Sequence, residues 1–149
     1  MKTIVRILFI IFLSLFFSSI LTISLSDFFI STIFNVSGIL FSVGLGLIVT
    51  FDINDVKNKS FIKEIRNNLN GVRNSFIFYF SLSVFCYIID KYLRDNKIFV
   101  WNINIYDIYI KLNWSVLFCL LMFYSIFYFI INFLSIQKLK NDIVDKINE

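Results

Sequence analysis

Residues 28–51 read FFISTIFNVSGILFSVGLGLIVTF, and the reading of this stretch decides the fold. It runs for 24 residues without a charge, whereas a helix needs only about 20 apolar residues, at about 1.5 Å each, to cross a hydrocarbon core of about 30 Å. Three of the chain's four glycines fall inside it, at Gly38, Gly44 and Gly46. Ser31, Asn35, Gly38, Ser42, Gly46 and Thr50 follow one another at intervals of three or four, so they form one small and polar stripe on a helix otherwise made of Phe, Ile, Leu and Val. Lipid offers no hydrophobic drive between helices, so such a stripe is expected either to pack helices together or to line a polar path.

Three more apolar windows lie around it, at 7–25, 75–93 and 114–136; the uncharged run of the 75–93 window ends at Ile89, which leaves Asp90 and Lys91 to sit at the interface. The chain is therefore expected to be an all-α integral membrane protein. Residues 1–149 would form a single four-span domain, a four-helix bundle joined by short aqueous segments. The first window follows Lys2 and Arg6 as a secretory signal would, but it exceeds the usual apolar length of about 7–15 residues and lacks an Ala-x-Ala-like site, so it is read as a retained span. Within it Ser14, Ser18 and Thr22 recur every four residues, offering a hairpin partner face to the second span. The third and fourth windows are rich in Phe and Tyr and poor in small residues, and read as lipid-facing or loosely packed.

Composition supports the lipid reading. The 149 residues are 58% hydrophobic and only 16% charged, against about 45–50% and about 25% in a soluble domain. With no His, and no base placed beside a nucleophile, general acid/base chemistry has little to be built from, so no enzymatic activity, cofactor or metal site is expected. Cys86 and Cys119 come out at similar depth near the ends of their spans and are expected to behave as small apolar residues. The abundance of Phe, Ile, Asn, Lys and Tyr follows AT-rich coding, so the 20 Phe do not by themselves mark a site.

Charge sets the expected orientation. Lys2, Arg6, segment 52–74 and tail 137–149 carry ten basic residues, against four (Lys91, Arg94, Lys97, Lys111) on the other side. By the positive-inside rule both termini and segment 52–74 are cytoplasmic, with 94–113 external, as expected of a multi-pass protein of the cell inner membrane. Trp101 and Trp114 suit the external interface. The net charge of +4 then reflects topology and anionic headgroups, with no nucleic-acid partner expected.

Between the second and third spans, Ile62, Ile65, Leu69 and Val72 recur at intervals of three and four, with Lys63, Arg66 and Arg73 off that stripe. This predicts a cytoplasmic amphipathic helix, lying on the inner leaflet or meeting another copy or a cytoplasmic protein partner. Segment 94–113 alternates over 102–105, which favours strand, while its setting favours an interfacial helix, so both remain open.

The layout, four spans in about 150 residues with no soluble domain, resembles small bacterial inner-membrane proteins of two kinds. One is the effector membrane subunit of phage-exclusion systems, which changes membrane permeability; the other is the immunity protein that protects against a pore-forming bacteriocin. The likeness covers the whole chain, carries no motif and transfers no functional residue. It implies a non-enzymatic, self-associating sensor or effector in antiviral defence, with an immunity protein or a holin-like pore as alternatives.

Overall fold

The computed structural model describes residues 2–20, 25–51, 59–98, 100–105 and 108–148. Four helices, α1 (Lys2–Ile20), α2 (Asp27–Val49), α3 (Lys59–Asp95) and α4 (Trp114–Asn148), are accompanied by an antiparallel hairpin of β1 (Val100–Ile105) and β2 (Ile108–Asn113). α2, α3 and α4 are long and apolar enough to cross a membrane; the described apolar stretch of α1 is the shorter Leu8–Phe17. Large apolar side chains face outward on every helix, including Phe12 (66% exposed), Phe28 (80%), Phe85 (61%) and Ile131 (63%). Water would not tolerate so continuous an apolar surface; lipid does.

Local signals explain where the helices begin and end. Ser26 caps α2, its hydroxyl accepting from the Phe29 N–H at 3.2 Å, and Asp27 follows in the first turn, where the helix dipole favours a carboxylate. Asn113 does the same for α4 through the Ser115 N–H at 3.0 Å. α3 stops at a Schellman turn, in which Ile98 N–H reaches Leu93 O at 2.9 Å and Lys97 N–H reaches Arg94 O at 3.0 Å. Lys97 takes the left-handed conformation this needs, with φ 57°. The hairpin resolves the open choice for the segment before α4 and qualifies the all-α expectation: Ile-rich sequence alternating with Asn102 and Asn104 suits a pleated ribbon better than a helix.

The bundle has a core of three helices. α2, α3 and α4 pack on one another, whereas α1 leans mainly on α4 and β2. α4 is the hub, with 39% of its apolar window buried against 22% in α3 and 17% in α2. Phe78, Phe85 and Phe127 of the third and fourth spans do face outward, but the expectation of loose packing is corrected. Their aromatics interlock: the fully buried Phe76 and Phe129 rings meet edge-on at 5.0 Å, and Tyr79 lies 4.2 Å from Tyr128. Rings bury more area per residue than small side chains, so they make the core, and the small residues serve where backbones approach.

Those small residues are Ser37, Gly44, Ser83 and Ser125, all buried. Ser37 Oγ donates to Ser83 Oγ at 3.4 Å, and Ser83 and Ser125 both donate to Tyr79 O, at 3.0 and 3.3 Å. Each of these three hydroxyls thus bonds within or between helices. Ser83→Ala is expected to lower stability by about 0.6 kcal/mol, the usual value of one such bond, and Ser83→Leu to cost far more through overpacking; thermal unfolding in detergent checks both.

α3 does not break where segment 52–74 ends. It is one helix of 37 residues, about 55 Å long, which exceeds a hydrocarbon core of about 30 Å. An amphipathic helix lying flat on the leaflet is thus replaced by a rod that projects beyond it. α4, of 35 residues, projects in the same way. Ile65 on the α3 projection and Ile136 and Ile143 on α4 are buried within the chain, so protein covers the apolar stripes there. Residues 52–58, at the head of the segment, lie outside the described residues.

Candidate functional site

α2 is the helix whose two sides differ most in use. Its inward side holds Ile30, Ile33, Ser37 and Gly44, packed with Leu40, Phe41, Leu45 and Ile48 against α3 and α4. Gly44 is what allows this closeness, since a Cβ there would overlap the Phe76 ring, with ring atoms at 2.9 and 3.0 Å and one nearer.

The stripe singled out from sequence lies on the other side. At 100° per residue its centre falls about 160° around the helix from the centre of the buried face. Asn35, Ser42, Gly46 and Thr50 are exposed, and nothing lies within 4 Å of where a Cβ on Gly46 would be. Ser31 and Gly38, at the flank of the stripe, are half-buried: the Ser31 hydroxyl lies 3.3 Å from the Tyr87 hydroxyl, and Gly38 lies under the Phe80 ring. Thr50 bonds back to Gly46 O through its hydroxyl at 2.9 Å and its N–H at 3.0 Å, which closes the helix.

The expected zip between this stripe and Ser14, Ser18 and Thr22 is not how α1 packs. Ser14 is buried and its hydroxyl donates to Ile11 O at 2.7 Å, but its helix lies along α4. Thr22 and the side chain of Ser18 lie outside the described residues. An apolar groove of about 510 Å³ separates Phe9, Ile10 and Leu13 of α1 from Leu120, Phe123 and Phe127 of α4, so this contact is loose.

Asn35 is the most telling residue of the stripe. It lies eight residues into α2, about 12 Å from the end of the helix, and its amide finds no hydrogen-bond partner among the described residues. Against protein families, curated proteins and solved structures, the chain shows no match in any of the three comparisons. The site is therefore argued from its chemistry. An amide facing hydrocarbon has no water to bond, and leaving it unpaired costs several kcal/mol.

Sequence reasoning missed a second polar feature, at the hairpin end of the bundle. Asp90, placed at the interface by the sequence reading, is 1% exposed and accepts from Arg94 Nε at 2.6 Å, while Arg94 Nη1 donates to Leu25 O at 2.6 Å. Lys91, one residue on, pairs with Asp27 at 2.5 Å on the exposed side. Together these tie the start of α2 to the end of α3. The signal was present in sequence, since Asp90 and Arg94 are one helical turn apart. Cys86 and Cys119 are free thiols buried in the same apolar cluster just below.

On the projecting rods, Ile62, Leu69 and Val72 are half-buried and Ile65 is buried, while Lys63, Arg66 and Arg73 are exposed. Among the described residues no three metal-ligating side chains come together.

Proposed function

We propose that this chain is a non-enzymatic, four-span inner-membrane protein, with both termini and the projecting rods cytoplasmic, that self-associates through the exposed stripe of α2 and acts as a sensor or effector altering membrane permeability in a phage-defence type of system. The observation carrying the proposal is Asn35, unpaired on an outward face in line with Ser42 and Gly46. A second copy presenting the same stripe supplies both what the amide lacks and the small residues that let two backbones approach. Several copies so arranged would bring polar α2 faces around a common axis, which is how a water path is built from helices whose other sides are apolar. The ten-to-four asymmetry of basic residues supports the orientation.

The experiment measures particle mass in lipid nanodiscs together with membrane potential in cells carrying a candidate trigger. Gly46→Leu and Asn35→Leu fill open space and are expected to leave the monomer folded while abolishing higher-order particles and any trigger-dependent depolarisation. Particles of unchanged size in both variants would remove the stripe from assembly. A potential that holds under every trigger would remove the permeability role and leave the immunity reading, tested by survival under a pore-forming bacteriocin. Lysis on expression without a trigger would instead mark a holin.

A further inference from the structure

The rod formed by the first half of α3 carries a charged seam with no salt-bridge partner among the described residues. Lys59, Lys63, Arg66, Asn70 and Arg73 are all exposed and follow one another at intervals of four, three, four and three. At 100° per residue they occupy an arc of about 80°, on the side of the helix away from Ile65, Val72 and Phe76. Glu64, the acidic residue of this stretch, lies well outside the arc. Alternating steps of three and four average 3.5 residues, the spacing with which one helix presents a straight seam to another.

We infer that this seam docks an acidic helix of another protein, with carboxylates repeating at the same three- and four-residue steps. The inference names the chemistry of the partner in the function proposed above. It rests on that reading only for the chain spanning a membrane, and is independent of self-association and of orientation.

Distance and charge disfavour the nearer occupants. The uncharged part of α3 begins at Asn74, so Arg73 lies at the lipid headgroups, but Arg66 is about 10 Å and Lys63 about 15 Å further along the rod. Headgroups extend only about 5–8 Å beyond the hydrocarbon and charges are screened over about 8 Å at physiological salt, so Arg66 still feels the headgroups, Lys63 stands at the edge of their reach and Lys59, about 21 Å along, stands beyond it. Tilt does not close that gap, since a typical 20° shortens the projection by less than a tenth. A second copy would bring an identical basic seam against the first and be repelled. Ile65, Ile136 and Ile143 of the rods are already buried within the chain, so recognition here works mainly through charge and the Asn70 amide.

The test uses the full chain in phosphatidylcholine nanodiscs and three probes at physiological salt: a 20-residue helical peptide with Glu along one face, a duplex oligonucleotide of equal charge, and discs containing phosphatidylglycerol. The peptide is expected to bind, and to bind at least tenfold more weakly to Lys59→Gln/Lys63→Gln/Arg66→Gln/Arg73→Gln. The charge-preserving Lys59→Arg/Lys63→Arg/Arg66→Lys/Arg73→Lys chain is expected to regain binding, and Lys138→Gln/Lys140→Gln to change it less than twofold. Absent binding, or equal weakening by the tail substitutions, overturns the inference. So does tighter binding of the duplex, which would make the seam a nucleic-acid surface, or loss of peptide binding in phosphatidylglycerol discs, which would make it a lipid contact. Particle mass recorded on the same samples reports self-association separately.

Discussion

Gly44→Ala is expected to loosen the three-helix core, and Gly44→Leu to prevent it from forming. Two effects oppose each other at this position. Alanine gains about 1 kcal/mol over glycine in a helix interior, whereas forcing atoms into a filled core costs about 1–3 kcal/mol. The second wins here because the obstacle cannot swing aside: the Phe76 ring is fully buried, held between Phe129 at 5.0 Å and Tyr128 at 6.2 Å. A net loss of up to about 2 kcal/mol follows for alanine, read as a lower unfolding midpoint in detergent. Gly46→Ala is the internal control, since open space surrounds it, and it is expected to match or exceed the parent. Shortening the obstacle in Gly44→Ala/Phe76→Leu should recover part of the loss. If Gly44→Ala proves as stable as the parent, the close approach of α2 to α3 is wrong.

Asp90→Ala should destabilise the hairpin end by about 3 kcal/mol, at the lower end of the 3–5 kcal/mol typical of breaking a buried pair. The lower end applies because Arg94 keeps 21% exposure and retains its bond to Leu25 O, whereas Asp90 is 1% exposed. Asp90 Oδ1 and Arg94 Nη2 have no partner among the described residues, so the pair is held through one strong bond and not two. Replacing both, as Asp90→Leu/Arg94→Leu, removes the two charges together and is expected to be far milder than the single change. A double-mutant cycle on thermal unfolding measures this; additive losses would show that the two side chains act independently. Asp27→Asn, which removes the exposed pair to Lys91 and the carboxylate in the first turn of α2, should cost at most about 1 kcal/mol at physiological salt.

How legible the chain was depended on whether a feature is local. The apolar stripe Ile62, Ile65, Leu69, Val72 and Phe76 is readable from spacing alone, because one helix carries all of it. The same stripe could not say whether its helix lay flat or stood upright, which follows from the continuity of α3 through residue 74. The α2 stripe was likewise readable as a stripe, but not its direction. Steps of three and four place small residues on one side of a helix without saying which side meets its neighbours, and here the bulkier Ile30, Ile33 and Leu40 take the inward one. Gly44 was passed over because its role appears only when Phe76, 32 residues later in sequence, is brought against it. The hairpin was half legible, its alternation visible and its setting misleading.

The continuity of α3 has a mechanical consequence. A helix of 37 residues without an interruption acts as a lever through the bilayer: a tilt of about 5° about one end carries the other, about 55 Å away, sideways by about 5 Å. One arm is gripped where Asp90 and Arg94 hold the α1–α2 junction, and the other ends in Lys59 and Lys63. A tilt about that gripped end would therefore be read at the rod tip as a sideways shift of roughly one helical turn, with no element between having to unfold.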